Sequence, residues 1–401
     1  MSNTKESPLG WKPKKLIDVA DLQTGITKNS KRAEGDIELP YLRVANVQNG
    51  VLDLRDIQKI SIHKEKVERY RLYRNDLLLV EGNGNPENLG RCAIWDGSIS
   101  DCVHQNHLFV LRARGGKIDY RYLALQIMSE RGRYYLLSCS KSSSGLATLN
   151  STQLKGFPII VPPLPEQKAI ADLLSTWDEA IEKTERLIQA KKKQKLGELH
   201  SRISSQKANS TIGAFARPVV RKVDKPGESY VAVGIRSHFK GTFQRLVEDP
   251  RTVNMDSLYR VKENDLILNI TFAWEGAIAL VKKEDEECYV SHRFPTFEIK
   301  RSKAEPCFIR QLIMSSRMKY DLSNISPGGA GRNRVLNKKD FLKMPIWLPD
   351  LETQKNIGEY LEAIDKEIDL MKQLADKYKT QKRGLMQKML TGEWRVRGFA
   401  E

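Results

Sequence analysis

A proline-rich connector leading into a helix-like segment occurs twice in this chain, and that repeat limits the folds open to it. FPIIVPPLPEQKAI (Phe157–Ile170) returns without a gap as MPIWLPDLETQKNI (Met344–Ile357), 187 residues on (345 − 158). The match pairs Pro158 with Pro345, Pro162 with Pro349, Leu164 with Leu351, Gln167 with Gln354 and Lys168 with Lys355. An internal duplication suits a chain of 401 residues, which is too long for one ordinary core and is expected to form two or three domains.

Ile170, Leu174, Trp177, Ile181, Thr184 and Ile188 follow the first connector, and Ile357, Leu361, Ile364, Ile368, Met371, Ala375 and Tyr378 follow the second. The spacing alternates four and three, the rhythm of a coiled-coil seam, with Glu179, Glu182, Lys183 and Lys366 outside it. Prolines stop before each helix, where they are tolerated, and Thr391-Gly392 supplies a stop for the second. Each helix is expected to run about 30 residues or more, roughly 45–50 Å. Two such helices can bury their seams on each other, and an antiparallel coiled coil relates the repeats by an approximate twofold axis. The alternative is two unrelated surface helices, each packed on its own domain. The basic run AKKKQK (Ala190–Lys195) reads as a solvated helix end that complements the dipole, with phosphate contact as the other option.

The repeat extends upstream more weakly. YLRVANVQNGVLDL (41–54) resembles YVAVGIRSHFKGTF (230–243), and RNDLLLVEG (74–82) resembles ENDLILNIT (263–271). LGRCAIW (89–95) resembles EGAIALV (275–281), and SSSGLATLNSTQL (142–154) resembles GGAGRNRVLNKKDF (328–341). Short β-branched runs between Gly and Asn turns read as strands, and YRYLALQIMSERGRYYLL reads as one helix. Asn150 and Asn337 are predicted helix N-caps, with Gln153 and Asp340 three residues later as in capping boxes. The fold expected is α/β, of mixed α+β type: globule 1–160, helix region 161–204, globule 205–345, and helix region with tail 346–401. The connectors match better than the globules. A duplicated scaffold with diverged surfaces suggests two recognition modules that read different things.

Lys and Arg number 67 against 50 Asp and Glu, a formal charge of +17. That balance favours a polyanion, nucleic acid above all, over a basic protein with no such partner. No apolar run is long enough to span a bilayer, neither end carries a basic amphipathic anchor, and the start MSNTKESPLGWKPKK has no apolar stretch. A cytoplasmic protein is expected. The five cysteines form no C-x-x-C pair and read as reduced structural thiols. His104 and His107 lie in the strand-like DCVHQNHLFVL, where that spacing points them to opposite faces, so no metal site is expected. No G-x-x-x-x-G-K-[ST] phosphate loop occurs. The sole Pro-Pro, Pro162-Pro163, lacks the Asn/Asp and aromatic neighbours of an adenine methyltransferase motif. EGNGNPENLG has Glu87 where a dinucleotide loop needs its third glycine, and reads as a hairpin loop.

PIIVPPLPEQKAIADLLSTWDEAI, its copy PIWLPDLETQKNIGEYLEAIDKEI, the tail RGLMQKMLTGEWRV and the opening Gly10-Trp11 followed by KLIDVA resemble, in this order and spacing, the specificity subunit of type I restriction-modification systems. The resemblance spans nearly the whole chain. It implies two target recognition domains alternating with two helical regions, and no catalysis in this chain. It implies double-stranded DNA, two modification (methyltransferase) subunits and restriction (translocase/endonuclease) subunits as partners. S-adenosylmethionine, ATP and Mg are expected on those partners, with no cofactor here. The DNA target would be split and asymmetric, with half-sites about one helical turn apart, roughly 34 Å, and adenine methylation would use base flipping. Candidate DNA contacts are Arg43, Asn46, Asn83, Asn85, Arg91, Lys141 and Ser143 in the first module. In the second they are Arg236, His238, Lys240, Trp274, Arg332, Asn333 and Arg334. Two other readings stay open: a non-enzymatic DNA-binding scaffold of repressor or partition type, and a stand-alone restriction or modification enzyme with a hidden site.

Overall fold

The computed structural model describes residues 10–27, 35–83, 88–139, 141–143, 146–326 and 334–399. The run Leu77–Val80 shows why the globules fold. All four residues are fully buried, as a strand covered on both faces must be. Leu77 and Leu79 join a core with Phe109, Tyr122 and Leu123, while Leu78 and Val80 join another with Leu42, Trp95 and Leu108, the two-residue alternation of a strand. Each such leucine contributes about 1.5–3 kcal/mol by leaving water.

In the first unit Leu77–Val80 sits in an antiparallel core sheet ordered Ala20–Thr24, Leu108–Ala113, Leu77–Val80, Cys92–Ile94. A second sheet holds Gln58–Ile62, Ile37–Leu42 and Val103–His104, the last two parallel. The second unit repeats both. Its core sheet runs Ala216–Val219, Thr296–Ile299, Leu266–Leu268, Ile278–Leu280, and its second sheet contains Tyr230–Ile235 parallel to Tyr289–Val290. The turn before the central strand is the same in both. Asn75 and Asn264 take left-handed backbone (φ 74° and 63°), which Asn tolerates. The next residue, Asp76 or Asp265, is buried; each accepts a turn amide at 2.8 Å and a two-pronged arginine, Arg112 or Arg221.

The stretch expected as one helix is two, Tyr120–Met128 and Glu130–Cys139. Ser129 breaks it: its hydroxyl donates to the Gln126 carbonyl at 2.7 Å and accepts from the Gly132 amide at 3.0 Å. Ser315 breaks Pro306–Ile313 from Ser316–Asn324 in the same way, accepting from the Met318 amide. Asn150 caps Ser151–Lys155 in a full capping box with Gln153. Asn337 also caps its helix, but its side chain accepts from the Lys339 amide.

Each connector is a strand that pairs with the start of its own unit: Pro158–Val161 with Lys12–Lys15, and Pro345–Ile346 with Ser210–Thr211. The repeated glutamine then locks helix to globule. Gln167 accepts from the Asp119 amide at 2.8 Å and donates to the Pro162 carbonyl at 2.9 Å. Gln354 accepts from the Glu305 amide at 2.9 Å and donates to the Pro349 and Lys303 carbonyls at 2.7 and 3.1 Å. Both are buried. The neighbouring Glu166, with no counterpart in the second copy, is fully buried where the chain's opening and tail meet. Trp11 Nε1 donates to it at 3.0 Å, and Arg395 donates to both its oxygens at 2.8 Å.

The long helices span Leu164–Leu199 (36 residues) and Leu351–Leu390 (40 residues), and the second stops at Gly392 with φ 74°. Every predicted seam residue is buried or half-buried. The chain divides into two compact units, Met1–Lys183 with Ala375–Glu401, and Thr184–Leu374. The cuts fall inside the helices, not at the connectors where the sequence suggested them, because each unit holds the start of one helix against the end of the other. In the first, Trp177 meets Tyr378 edge-on at 5.9 Å, and Lys382 donates to Asp178 at 2.6 Å. In the second, Lys195 donates to Asp365 at 2.6 Å and Lys191 pairs with Glu367 at 2.8 Å. The partners run antiparallel in both units, and Asp178–Lys382 and Asp365–Lys195 are the same pair repeated. Two lysines of AKKKQK therefore serve the seam, Lys195 being 7% exposed, while Lys192 and Lys193 stay in solvent.

Candidate nucleic-acid interface

In the first unit, hydrogen bonds gather several loops at one edge of the core sheet. Gln105 takes the Val44 amide on its side chain (3.2 Å) and gives its own amide to the Leu42 carbonyl (2.9 Å). Arg91 donates to Gln48 (3.0 Å), and the Gly50 amide donates to the Cys92 carbonyl (2.8 Å). Gly82–Asn83 pairs with Ala147–Thr148, and Lys141–Ser143 pairs with Leu146–Thr148, so the backbone brings Asn83, Lys141 and Ser143 to one small sheet. The segment EGNGNPENLG does join two antiparallel strands, Leu77–Val80 and Cys92–Ile94.

Asn46 is corrected by the structure. It is 3% exposed; its amide donates to the Asp53 and Asp56 carbonyls at 2.9 Å and its oxygen accepts from the Arg43 amide at 2.8 Å. With those bonds made inside the fold it holds the loop's shape and has no free edge for a base. Arg43 is half-buried and paired with Asp56 at 2.7 Å. Asn85, Arg332 and Asn333 lie outside the described residues.

In the second unit the corresponding loops carry exposed cations among the described residues. Arg236, His238 and Lys240 are exposed on the loop after Tyr230–Ile235, and Arg236 lies over the Phe243 ring at 4.9 Å. His238 and Phe239 both take left-handed backbone (φ 62° and 57°), an uncommon conformation held by their amides donating to the Glu275 and Gly276 carbonyls at 2.8 and 2.9 Å. Gly276 is required there: it is left-handed (φ 81°), and a Cβ would meet the Phe239 ring at 2.8 Å. Trp274 donates to the Thr271 carbonyl at 3.2 Å, and Arg334 lies over its ring at 5.1 Å. The structure thus brings Arg236, His238, Lys240, Trp274 and Arg334 to loops at one edge.

Sequence reasoning missed one loop in each unit, the residues just before Leu108–Ala113 and Thr296–Ile299. In the first, His107 is exposed, with Nδ1 3.5 Å from the half-buried Glu81 carboxylate. Burial raises the Glu81 pKa, against the pull of His107. In the second, Arg293 is exposed and donates to the Thr271 hydroxyl at 3.2 Å. The signal was available: QNHLFVL and HRFPTFEI end in matching strands but begin with unlike polar residues. His104, by contrast, is fully buried, with Nδ1 3.1 Å from the Tyr70 carbonyl, and burial pushes its pKa down to about 4. Among the described residues no group of three or more His, Cys, Asp or Glu could hold a metal ion, and no helix is long and apolar enough to cross a membrane.

Known proteins share this pattern. The family described as the type I restriction modification DNA specificity domain matches residues 8–192 and 227–379. The MjaX chain of Methanocaldococcus jannaschii is 26% identical over 416 residues, covering 98% of this chain and 95% of that one. The type I restriction enzyme MjaVIII specificity subunit of the same organism is 25% identical, over 90% of this chain and 87% of its own. The solved HsdS subunit from Thermoanaerobacter tengcongensis superposes with a TM-score of 0.52 at 14% identity, over 98% of this chain and 99% of its own, a likeness of fold. The two matched spans fall on the two repeats and take up most of the chain, which therefore belongs to the type I restriction-modification DNA specificity family.

Proposed function

We propose that this chain is the sequence-reading, non-catalytic subunit of a type I restriction-modification enzyme. It binds a bipartite, asymmetric double-stranded target, one half-site per globule, and directs adenine methylation or restriction by its partners. Those partners are two modification subunits, which carry S-adenosylmethionine, and restriction subunits, which use ATP and Mg. One observation supports this best: both units repeat the same two sheets, and the segment after the central strand is tied by the same backbone bonds, Glu81 to His107 and Leu149 in the first and Ile270 to Arg293 and Leu336 in the second, yet the side chains there differ. A reader needs a fixed frame and a variable face. Exposed cations supply affinity through phosphates, while base edges supply sequence. The duplicated frame offers equivalent attachment to two copies of one partner.

The test is a domain exchange. The chain is co-expressed with its modification subunit in a host without other adenine methylation, and methylated sites are mapped by long-read sequencing. Replacing residues 205–343 with the equivalent segment of a relative should change one half of the recognised sequence and leave the other half and the spacer intact. Both halves changing together would overturn the two-reader mechanism.

A further inference from the structure

The missed loops give the two sheet edges a matched backbone station with unmatched side chains. In the first unit the Glu81 amide donates to the His107 carbonyl at 3.0 Å, and the Glu81 carbonyl accepts from the Leu149 amide at 2.9 Å. In the second unit the Ile270 amide donates to the Arg293 carbonyl at 3.1 Å, and the Ile270 carbonyl accepts from the Leu336 amide at 2.9 Å. Glu81 therefore corresponds to Ile270 and His107 to Arg293, each pair held by the same three-segment junction.

The chemistry at the two stations differs in kind. Glu81 is a half-buried carboxylate, its side chain 26% exposed, beside loops rich in Arg and Asn. A carboxylate repels phosphate. It belongs at a DNA-facing edge only if it accepts from an exocyclic amino group, cytosine N4 or adenine N6 in the major groove. His107 holds it from one side. The second unit has no carboxylate at that station. It presents Arg293, with one nitrogen on the Thr271 hydroxyl, no ion pair among the described residues, and four more N–H donors in a fork that suits guanine O6 and N7.

We propose that Glu81, positioned by His107, and Arg293, positioned by Thr271, each set the base accepted at one position of their unit's half-site; this rests on the reading of the chain as a pair of DNA readers. Glu81 selects a base that donates an amino group, and Arg293 selects guanine.

The experiment uses the full chain co-expressed with its modification subunit, in wild-type form and as Glu81→Gln, Glu81→Ala and Arg293→Ala, with methylated sites mapped and melting temperatures recorded. Wild type tests the underlying reading by itself: without a bipartite methylated site, the proposed function fails. Given that site, Glu81→Gln turns one acceptor into a donor and should move the preference at a single base pair of one half-site, while Glu81→Ala relaxes it. Arg293→Ala, at an exposed position that can lose its side chain without disturbing the core, should relax one guanine in the other half-site. The expected loss of discrimination is about 5- to 150-fold at the affected position, the worth of one good base contact. An unchanged motif in all three variants would overturn the proposal. So would changes spread over both half-sites, or lower overall methylation with an intact motif and a lower melting temperature, which would make the Glu81–His107 pair a loop staple.

Discussion

Replacing Gln354 with leucine, which nearly keeps its volume, removes every polar bond that side chain makes at a buried site. The Glu305 amide loses its acceptor, and the Lys303 and Pro349 carbonyls lose their donor. A buried group left unpaired costs about 1–3 kcal/mol, with the amide near the top of that range and the carbonyls near the bottom. The total is about 4–5 kcal/mol. For a unit of this size that lowers the melting temperature by about 8–20 °C. Gln167→Leu breaks the corresponding bonds to Asp119 and Pro162 and should cost a similar amount. The two sites lie in different compact units, so the double variant should be additive within about 0.5 kcal/mol. Scanning calorimetry and urea unfolding measure both. A Gln354→Leu variant within about 2 °C of wild type would refute the argument that the repeated glutamine locks each helix to its globule.

Three further outcomes are expected. Gly132→Ala places a Cβ 2.3 Å from the Gln126 carbonyl oxygen and should destabilise by at least ~1–3 kcal/mol in urea unfolding, whereas Gly197→Ala, with open space around its Cβ on a helix, should stabilise by about 0.5–1 kcal/mol. Ile368→Asp puts a carboxylate at a seam position only 5% exposed and should cost several kcal/mol and abolish co-purification with the modification subunit; Ile181→Asp, at a half-buried position, should act in the same direction and more weakly. The purified chain, given S-adenosylmethionine and ATP, should neither methylate nor cut DNA, and transfer of labelled methyl groups that survives repurification would refute this.

The seam was readable because four-three spacing is a property of one helix and needs no knowledge of its partner. Helix breaks were not: the apolar spacing of Tyr120–Cys139 continues across Ser129, and only the small repeat of Met128-Ser129 and Met314-Ser315 hinted at a stop. The letter Gln was visible twice, but its partners beyond the connector, Asp119 for Gln167 and Glu305 and Lys303 for Gln354, lie 48 to 51 residues upstream. AKKKQK looked like a solvated end because nothing local reveals that Asp365, 170 positions away, takes Lys195. Asn46 stands among the candidate contacts, yet its bonds go to its own loop. Glu81, proposed above as a reader, is not among the sequence candidates, none of which is acidic, and a positive net charge points to cations. That criterion suits phosphate, which every sequence offers, and not bases, which differ in the donors and acceptors on their edges. Frame residues answer to the chain's own packing and can be found by their recurrence in both copies. Base-reading residues answer to a partner absent from the sequence, so they are found where the recurrence of the frame stops.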